Sequence, residues 1–321
     1  MKPHVICQFL EHLFDLHCVQ IDRIKPGVYR IVEKNGRVYG LKQMNFTRSR
    51  LEWMDASLAM VRKRGFTHYV WGTWHDLKQG STAYLLMDWL PGVSPDPSNL
   101  LDLQKAAALL AMFHRAGCEP LVRGTGARVT FGTWKRQFQQ GSVWLERARR
   151  ENWPFLQGKS ISLSAYRKMQ KRAQLALDIL QQEQYEKISR AQGVLCHGDS
   201  GPANFIMNKD DVRMIDFETL RIDLPSYDVF RMIRLAGKKN GWDLAAALAV
   251  VDGYERISPL SLSERQLVIA WLAYPAKLCK LLRAYGVATR GQRDALESRM
   301  AHLIKREEGL SHLVQQLRTQ L

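Results

Sequence analysis

Two short motifs, HGDSGPAN at residues 197–204 and MIDFE at residues 214–218, constrain this chain more than any other feature. They supply three oxygen-bearing side chains, Asp199, Asn204 and Asp216, at spacings that a turn between two strands would bring together. Magnesium prefers oxygen ligands. Transfer of a phosphoryl group mainly requires that the negative charge of the phosphates is neutralised and that the nucleophile is correctly oriented. The motifs therefore favour phosphoryl transfer. In this interpretation Asn204 and Asp216 are the metal ligands, and Asp199 accepts the proton of the incoming hydroxyl.

The bulk composition is typical of an ordinary globular protein. The chain has 321 residues, of which 46% are hydrophobic and 24% are charged. Domains usually hold about 100 to 200 residues, so this length predicts two lobes. The five cysteines form no CxxC pair and no cluster with histidine at zinc spacing, which indicates a reducing compartment without disulfides or structural zinc.

No segment has the pattern of a signal peptide or a membrane span. Glu11, His12 and Asp15 interrupt the apolar residues near the N-terminus, where a signal peptide needs a continuous apolar region. The stretch at residues 244–251 is among the longest apolar runs, and it is shorter than the roughly 18 residues that a span requires. We therefore expect a protein that is made in the cytoplasm without a signal peptide and has no membrane span.

The charge balance is strongly basic. Lysine and arginine total 47 against 31 acidic residues, a formal net charge of +16. Such a balance favours anionic partners such as nucleotides or polyphosphates. The basic residues are scattered in short clusters, however, and no long tract resembles a nucleic-acid-binding arm. Charge alone therefore does not choose among nucleotides, polyphosphates, nucleic acid and acidic surfaces, although the scatter predicts no specific nucleic-acid site.

Apolar periodicity and turn residues predict a mixed N-terminal region. Residues 35–36 are Asn-Gly, which marks a hairpin turn between two short runs of β-forming residues and puts Lys42 near the end of a strand. A lysine in that position is suited to bind nucleotide phosphates. Glu52 and Asp55 on the next predicted helix are both candidate partners for it, and the sequence does not choose between them. The predicted elements are a helix at 5–18, strands at 28–32 and 38–42, a helix at 49–64, and strands at 67–74 and 81–89.

The best linker candidate lies at residues 91–98, which hold three prolines and one glycine. Beyond it the pattern is mostly helical, with helices predicted at 99–115 and 161–190 and short strands around both motifs. We therefore predict an α+β chain with an N-terminal nucleotide-binding lobe at 1–90, a linker at 91–98, and a helical C-terminal lobe with the catalytic loop at 99–321.

The motifs resemble a known superfamily. HGDxxxxN followed by IDF is similar to the signatures of the aminoglycoside and choline phosphotransferase superfamily, which has a bilobal protein-kinase-like fold. Three further stretches agree with it: YGLK at 39–42, LMDWLPG at 86–92 and LAMFH at 110–114. Within the superfamily the chain looks most like the spore-coat kinase-like proteins of endospore-forming bacteria, in its length, its Leu-Lys strand ending and its DLPxxD segment at 223–228.

The resemblance implies roles for the motif residues. It makes ATP and Mg²⁺ the cofactors, Asp199 the catalytic base, Asn204 and Asp216 the magnesium ligands, and Lys42 the phosphate anchor. His197 and Asp228 would support the loop through hydrogen bonds.

The resemblance also assigns the adenine site and the protein's location. The backbone of Asp88, Trp89 and Leu90 would meet the adenine. The protein would be found at the spore coat, with other coat proteins as possible partners.

Three functions remain open at this stage. The first is an ATP- and Mg²⁺-dependent phosphotransferase that acts on a hydroxyl of an unknown acceptor. The second is a catalytically weak or inactive kinase-like component of the coat, because the turn at 25–29, which should cover the nucleotide, has one glycine and a rigid proline. The third is an antibiotic or choline phosphotransferase. It needs an acidic pocket for a cationic acceptor, which the net charge of +16 does not support.

Overall fold

The computed structural model describes residues 3–76, 82–120, 126–157, 161–191, 193–209 and 211–321. Its N-terminal part is a five-stranded antiparallel sheet with two helices. The strand order is β1-β2-β3-β5-β4. The elements are α1 (Pro3–Phe14), β1 (Cys18–Lys25), β2 (Val28–Glu33), β3 (Val38–Met44), α2 (Arg48–Lys63), β4 (Thr73–Asp76) and β5 (Ala83–Asp88).

The predicted hairpin around Asn35-Gly36 is confirmed as β2 and β3. The Asn35 side chain accepts a hydrogen bond from the Arg37 N–H at 2.9 Å, and Gly36 takes a positive φ of 85°. Strand β1 was not predicted. It lies at the edge of the sheet with most of its residues exposed or half-exposed, so its sequence lacks the apolar alternation that marks a buried strand.

Helix α2 begins and ends close to the prediction. The Thr47 side chain caps its N-terminus by accepting from the Arg50 N–H, and the predicted apolar face is buried, with Leu51, Met54 and Leu58 at 1% exposure or less. The predicted strand at 67–74 is largely wrong. The regular strand begins at Thr73, and residues 68–70 instead pair with the backbone at Met214, the first residue of the second motif.

The C-terminal part is mainly helical. The long helix predicted at 161–190 is two helices, because the chain turns at Glu183 and Gln184, where Gln184 has a positive φ of 50°. The helices are α3 (Leu100–Ala116), α4 (Trp134–Arg150), α5 (Leu163–Gln182), α6 (Tyr185–Ala191), α7 (Pro225–Asn240), α8 (Leu244–Glu255), α9 (Leu262–Ala273), α10 (Ala276–Val287), α11 (Arg290–Arg306) and α12 (Glu308–Gln320).

Two small antiparallel ladders carry the motifs. β6 (Val194–Cys196) pairs with β9 (Arg221–Asp223), and β7 (Phe205–Asn208) pairs with β8 (Asp211–Met214). The first motif lies between β6 and β7, and the second begins at the end of β8. The predicted turn between two strands is therefore confirmed.

The β7–β8 hairpin lies between two segments of the preceding chain. Met207 exchanges backbone hydrogen bonds with Val93 at 2.8 and 3.0 Å, and Met214 bonds the backbone of His68 and Val70 at 3.0 and 2.9 Å. Gly92 has φ +143°, and a Cβ there would lie 2.4 Å from the Met207 carbonyl oxygen. Only glycine allows the linker to approach this strand so closely.

A sheet with flanking helices followed by a helical region confirms the predicted α+β class. The segment at 91–98 runs between β5 and α3, and the lobe division at this segment stays a prediction. Among the described residues, no helix is both long enough and apolar enough to cross a membrane.

Candidate active site

The loop after β6 is held by the buried carboxylate of Asp228 on α7. It accepts from the backbone N–H groups of His197 at 2.6 Å and Gly198 at 2.8 Å. His114 on α3 bonds the same carboxylate at 3.1 Å and the Tyr254 hydroxyl at 2.8 Å. Burial acts to raise the pKa of Asp228, but the hydrogen bonds and charges of its neighbours, those of His114 first among them, together outweigh burial, so the pKa is lowered. Asp228 therefore supports the loop as a carboxylate.

His197 also supports the loop. Its Nε2 lies 2.9 Å from the Ile215 carbonyl oxygen, and its Nδ1 accepts from the Asp199 N–H at 3.3 Å. This pair of contacts requires a neutral imidazole with the proton on Nε2, and burial lowers the pKa of His197 in the same direction. The side chain ties the first motif to the second.

Gly198 is required by the turn. It has φ +82°, and a Cβ there would lie 2.3 Å from the Thr219 carbonyl oxygen. The Thr219 hydroxyl in turn donates to the His197 carbonyl at 2.9 Å. The glycine thus lets the loop fold against the residues that follow the second motif.

Asn204 and Asp199 are directly linked. The Asn204 amide nitrogen donates to the Asp199 carbonyl oxygen at 2.6 Å, which fixes the amide plane. The Asp199 carboxylate forms an ion pair with Arg231 on α7 and stays 39% exposed. The structure therefore places a partly open carboxylate and an oriented amide on one loop.

The second motif brings Asp216 to the other side of the same region. Its Oδ1 lies 2.7 Å from the Lys42 Nζ, and the Glu218 Oε1 lies 3.1 Å from that nitrogen. Lys42 is only 9% exposed. Asp216 has φ 66°, a left-handed conformation that aspartate and asparagine tolerate better than most residues. The turn thus aims two carboxylates at one buried ammonium.

In the structure Lys42 does not pair with either of the carboxylates predicted for it. Glu52 is exposed and pairs with Arg48 at 2.9 Å, as residues four apart on a helix do. Asp55 accepts hydrogen bonds from the indole nitrogens of Trp71 and Trp74. Neither carboxylate pairs with Lys42. The partners of Lys42 are Asp216 and Glu218 instead. The pairing predicted from helix α2 is therefore wrong.

A cleft of about 220 Å³ adjoins this lysine. Asp88, Trp89 and Leu90 line it together with Lys42 and Asp216. Trp89 uses its backbone N–H to bond Val38 at 3.1 Å, which holds the segment beside β3. The structure therefore brings these three residues into the same cleft as the lysine and the second motif.

The turn that closes the β1–β2 hairpin is tight. Lys25 pairs with Val28, so only Pro26 and Gly27 form the turn, and Gly27 takes φ +77°. Lys25 and Val28 both line the cleft. The cleft is thus bordered by a short rigid turn in place of a long glycine-rich loop.

The family of the chain follows from a comparison with known proteins. The model of the phosphotransferase enzyme family matches residues 22–260, which is more than half of the chain. The chain belongs to this family.

Solved phosphotransferases share the fold. An aminoglycoside phosphotransferase from Alicyclobacillus acidocaldarius aligns with a TM-score of 0.71 and 19% identity, over 94% of this chain and 93% of its own. A spectinomycin phosphotransferase, solved with ADP and spectinomycin, has a TM-score of 0.65 and 12% identity over 99% of both chains. An amicoumacin kinase, solved with AMP-PNP and Ca²⁺, has a TM-score of 0.61 and 13% identity over 97% of this chain and 95% of its own. The predicted kinase-like fold is confirmed.

The oxygen-bearing side chains at this site of the phosphotransferase fit a hard divalent cation. Asp216 and Glu218 already share one positive charge, the Lys42 ammonium. The amide nitrogen of Asn204 donates a hydrogen bond to Asp199, so the amide oxygen of Asn204 remains available to bind a cation. Carboxylate and amide oxygens are ligands that Mg²⁺ accepts.

Sequence reasoning missed two residues of this phosphotransferase site. Glu218 lies within the second motif, two residues after Asp216, but the sequence assigns it no role. Arg231 gave no local signal, because its contact with Asp199 spans 32 residues. Only the spacing from Asp228, less than one helical turn on α7, would have placed Arg231 near the loop.

Proposed function

We propose that the chain transfers the γ-phosphoryl group of ATP to a hydroxyl of a small-molecule acceptor. In this proposal residues 1–90 form the nucleotide lobe, 91–98 the linker, and 99–321 the lobe with the catalytic loop. Lys42 binds nucleotide phosphates, and the backbone of residues 88–90 meets the adenine. His197 and Asp228 hold the loop in place.

The observation that carries the proposal is the convergence of Asp216 and Glu218 on the buried Lys42 ammonium at the edge of the cleft. Burying a cation between two carboxylates costs desolvation that simple stability does not require. The arrangement is useful where phosphate oxygens and a metal must be held together. Asn204, Asp216 and Glu218 would hold Mg²⁺, which would neutralise charge on the transferred group.

Asp199 is the proposed base. In the reaction, the acceptor hydroxyl oxygen forms a bond to the γ-phosphorus while the bond from that phosphorus to the β-γ bridging oxygen breaks, and ADP leaves with that oxygen. The hydroxyl proton moves to the Asp199 carboxylate. Arg231 orients this carboxylate, and Asn204 fixes the backbone that carries it.

Nucleotide binding tests the metal and phosphate side of the proposal. We expect Mg·ATP at about 100 times its dissociation constant to stabilise the protein by roughly 2.7 kcal/mol, measured as a shift in thermal melting. The Asp216→Asn variant should lose most of this shift, because asparagine accepts the left-handed backbone but removes one charge from the metal ligands. Chelation of Mg²⁺ with EDTA should have the same effect on the wild type.

Asp211→Asn is the matched control. Asp211 begins β8, is partly exposed, and pairs with Arg213 at 2.7 Å, so its replacement also removes a charge from this hairpin. It should keep the full Mg·ATP shift. A wild-type protein that gives no shift and no heat of binding with Mg·ATP would contradict the nucleotide site.

A catalytically silent kinase-like protein is the second candidate, and the tight Pro26-Gly27 turn favours it. Two residues offer few backbone N–H groups to cover phosphates, whereas active kinases use a glycine-rich loop. The melting experiment separates the two candidates, since a silent protein without a nucleotide site would show no shift.

We also propose a location at the spore coat, supported by the sequence resemblance in the Leu-Lys strand ending and the DLPxxD segment. In a spore-forming host, a fluorescent fusion should concentrate around the developing spore and remain with the coat fraction. Uniform fluorescence throughout the sporulating cell would contradict this location, and would leave the phosphotransferase proposal intact.

A further inference from the structure

Lys25, the last residue of β1, lies in a row of residues that crosses the sheet and faces the cleft. It pairs with Val28 across the β1–β2 hairpin, and Val28 pairs with Lys42 on β3. Lys42 pairs in turn with Leu85 on β5. Residues directly opposite one another on neighbouring strands have their side chains on the same face of the sheet. All four residues of this row line the cleft.

An extra residue in β1 sets this register. Arg23 pairs with Tyr29. The next pair is Lys25 with Val28, so Ile24 is the extra residue on the β1 side. Without the extra residue, Ile24 would lie opposite Val28 and would take the place of Lys25 in the row. Such a bulge re-aims a side chain, and here it leaves Ile24 52% exposed while it presents an ammonium group to the cleft.

The two lysines of the cleft differ in their partners. Among the described residues that line the cleft, Lys25 and Lys42 are the ones that carry positive charge. Lys42 is only 9% exposed and is paired with both Asp216 and Glu218. Lys25 is exposed, and no carboxylate within the described ranges forms an ion pair with it. The charge of Lys25 is therefore available to a ligand.

The phosphates of a nucleotide need more positive charge than Lys42 supplies. Two carboxylates share the ammonium of Lys42, so this group of three side chains is negative overall before a metal binds. Kinases usually cover the phosphates with a glycine-rich loop. Here the turn consists of Pro26, which has no backbone N–H, and Gly27. The turn offers at most one backbone N–H, so a side chain has to supply the remaining contacts.

Lys25 is placed to share one polyphosphate with Lys42. Neighbouring strands lie about 4.8 Å apart, so two strand spacings separate the backbones of Lys25 and Lys42 by roughly 10 Å. A lysine side chain is a point charge on a flexible four-carbon stem with three rotatable donors. Pro26 also restricts the backbone of the residue before it to extended conformations. Binding would therefore need to order only the side chain of Lys25.

We infer that Lys25 is a second phosphate-binding residue of the nucleotide site, and that its ammonium group replaces the backbone N–H groups of a glycine-rich loop. This inference rests on the proposed function and deepens it by naming a residue that binds the polyphosphate. In this arrangement a short Pro-Gly turn is compatible with nucleotide binding.

Isothermal titration of the full chain with Mg·ATP tests this inference. Lys25→Gln should weaken Mg·ATP binding by about tenfold, as loss of a charge-assisted contact with phosphate does. The difference from the wild type should shrink as salt is raised, because the contact joins charges that are open to solvent. Lys25→Arg keeps the charge and should retain most of the affinity. Adenosine, which has no phosphate, should bind Lys25→Gln and the wild type equally.

Lys34→Gln is the matched control. Lys34 is an exposed lysine at the opposite end of β2, beside the turn of the next hairpin, and it lies outside the described lining of the cleft. Its replacement removes the same charge from the same sheet and should leave the affinity for Mg·ATP unchanged. Circular dichroism would confirm that all three variants fold.

Three results would overturn the inference. They are a wild-type affinity for Mg·ATP in a folded Lys25→Gln variant, the same loss in Lys25→Arg as in Lys25→Gln, and the same loss in Lys34→Gln. The second would show that the shape of the side chain matters and its charge does not. The third would show a general effect of charge on the sheet.

Failure of the proposed function gives different results. A wild type that does not bind Mg·ATP would reject the nucleotide site and this inference with it. Wild-type binding that does not depend on Lys25 would reject the inference alone. Binding that depends on Lys25, without phosphoryl transfer to any acceptor, would keep the phosphate contact and reject the transferase.

Discussion

Replacement of Asp199 by asparagine should reduce the turnover of Mg·ATP by about 100- to 10,000-fold, the usual contribution of a general base. The amide keeps the size of the carboxylate and still accepts a hydrogen bond from Arg231, but it cannot take the proton of the attacking hydroxyl. Until the acceptor is known, turnover is measured as release of ADP with water as the acceptor.

The nucleotide site should survive this change. Asp199 faces Arg231, whereas Lys42, Asp216 and Glu218 form their own group of charges, so the thermal shift with Mg·ATP should stay near the wild-type value. Loss of turnover with retained binding separates a chemical role from a binding role.

Asp211→Asn again provides the comparison, because Asp211 is another partly exposed aspartate that pairs with an arginine. It should keep wild-type turnover. Equal turnover by Asp199→Asn and the wild type would show that Asp199 is not the base. Equal loss of turnover in both variants would point to a general effect of removing a negative charge from this part of the chain.

The second large effect concerns stability. Asp228→Asn should lower the free energy of unfolding by about 3 kcal/mol, because loss of one member of a buried, charged network leaves its partners unsatisfied. The carboxylate of Asp228 accepts hydrogen bonds from His197, Gly198 and His114. In the variant, at least one of these three donors would face the N–H₂ group of the asparagine, which is also a donor, and would lose its hydrogen bond. Urea denaturation followed by circular dichroism measures the change.

The contribution of Asp228 to the free energy of unfolding should depend on pH in a defined direction. The pKa of Asp228 is lowered in the folded protein. Its stabilising contribution is therefore fully present above the ordinary aspartate pKa of about 3.9, and is lost as the pH falls through the lower pKa of the folded state. The wild type should lose more stability than Asp228→Asn when the pH is lowered below about 4.

Asp252→Asn is the control for this experiment. Asp252 lies exposed on α8, and its replacement should change the free energy of unfolding by no more than about 0.5 kcal/mol. If Asp228→Asn were as stable as this control, the hydrogen bonds to the loop would contribute little, and the assignment of Asp228 as the support of the loop would fail.

The elements that could be predicted from sequence are those with local signals. The β2–β3 hairpin has Asn-Gly in its turn, and α2 and α3 have capping residues, Thr47 and Asn99, before an apolar face. Strand β1 has no such signal, because an exposed edge strand needs no apolar alternation. The break between α5 and α6 was missed for a related reason, since the residues around it all favour helices.

The residues of the candidate site likewise divide into those with a local sequence signal and those without one. The two motifs lie within 22 residues of one another along the chain, so a single hairpin brings Asp199, Asn204 and Asp216 into one region. The partner of Lys42 was predicted from sequence proximity, on the following helix. The partners are instead Asp216, which lies 174 positions away, and its neighbour Glu218, because the β7–β8 hairpin pairs its backbone with residues 68–70 and 93.

The sequence by itself determined the α+β class, the family resemblance and the identity of the motif residues, because helix caps, turn residues and closely spaced motifs act over short distances along the chain. Only the tertiary structure decided that Glu218 joins Asp216 at Lys42 and that Arg231 holds Asp199. Those contacts depend on how the strands and helices pack, and electrostatic interactions act through space between residues that the sequence keeps far apart.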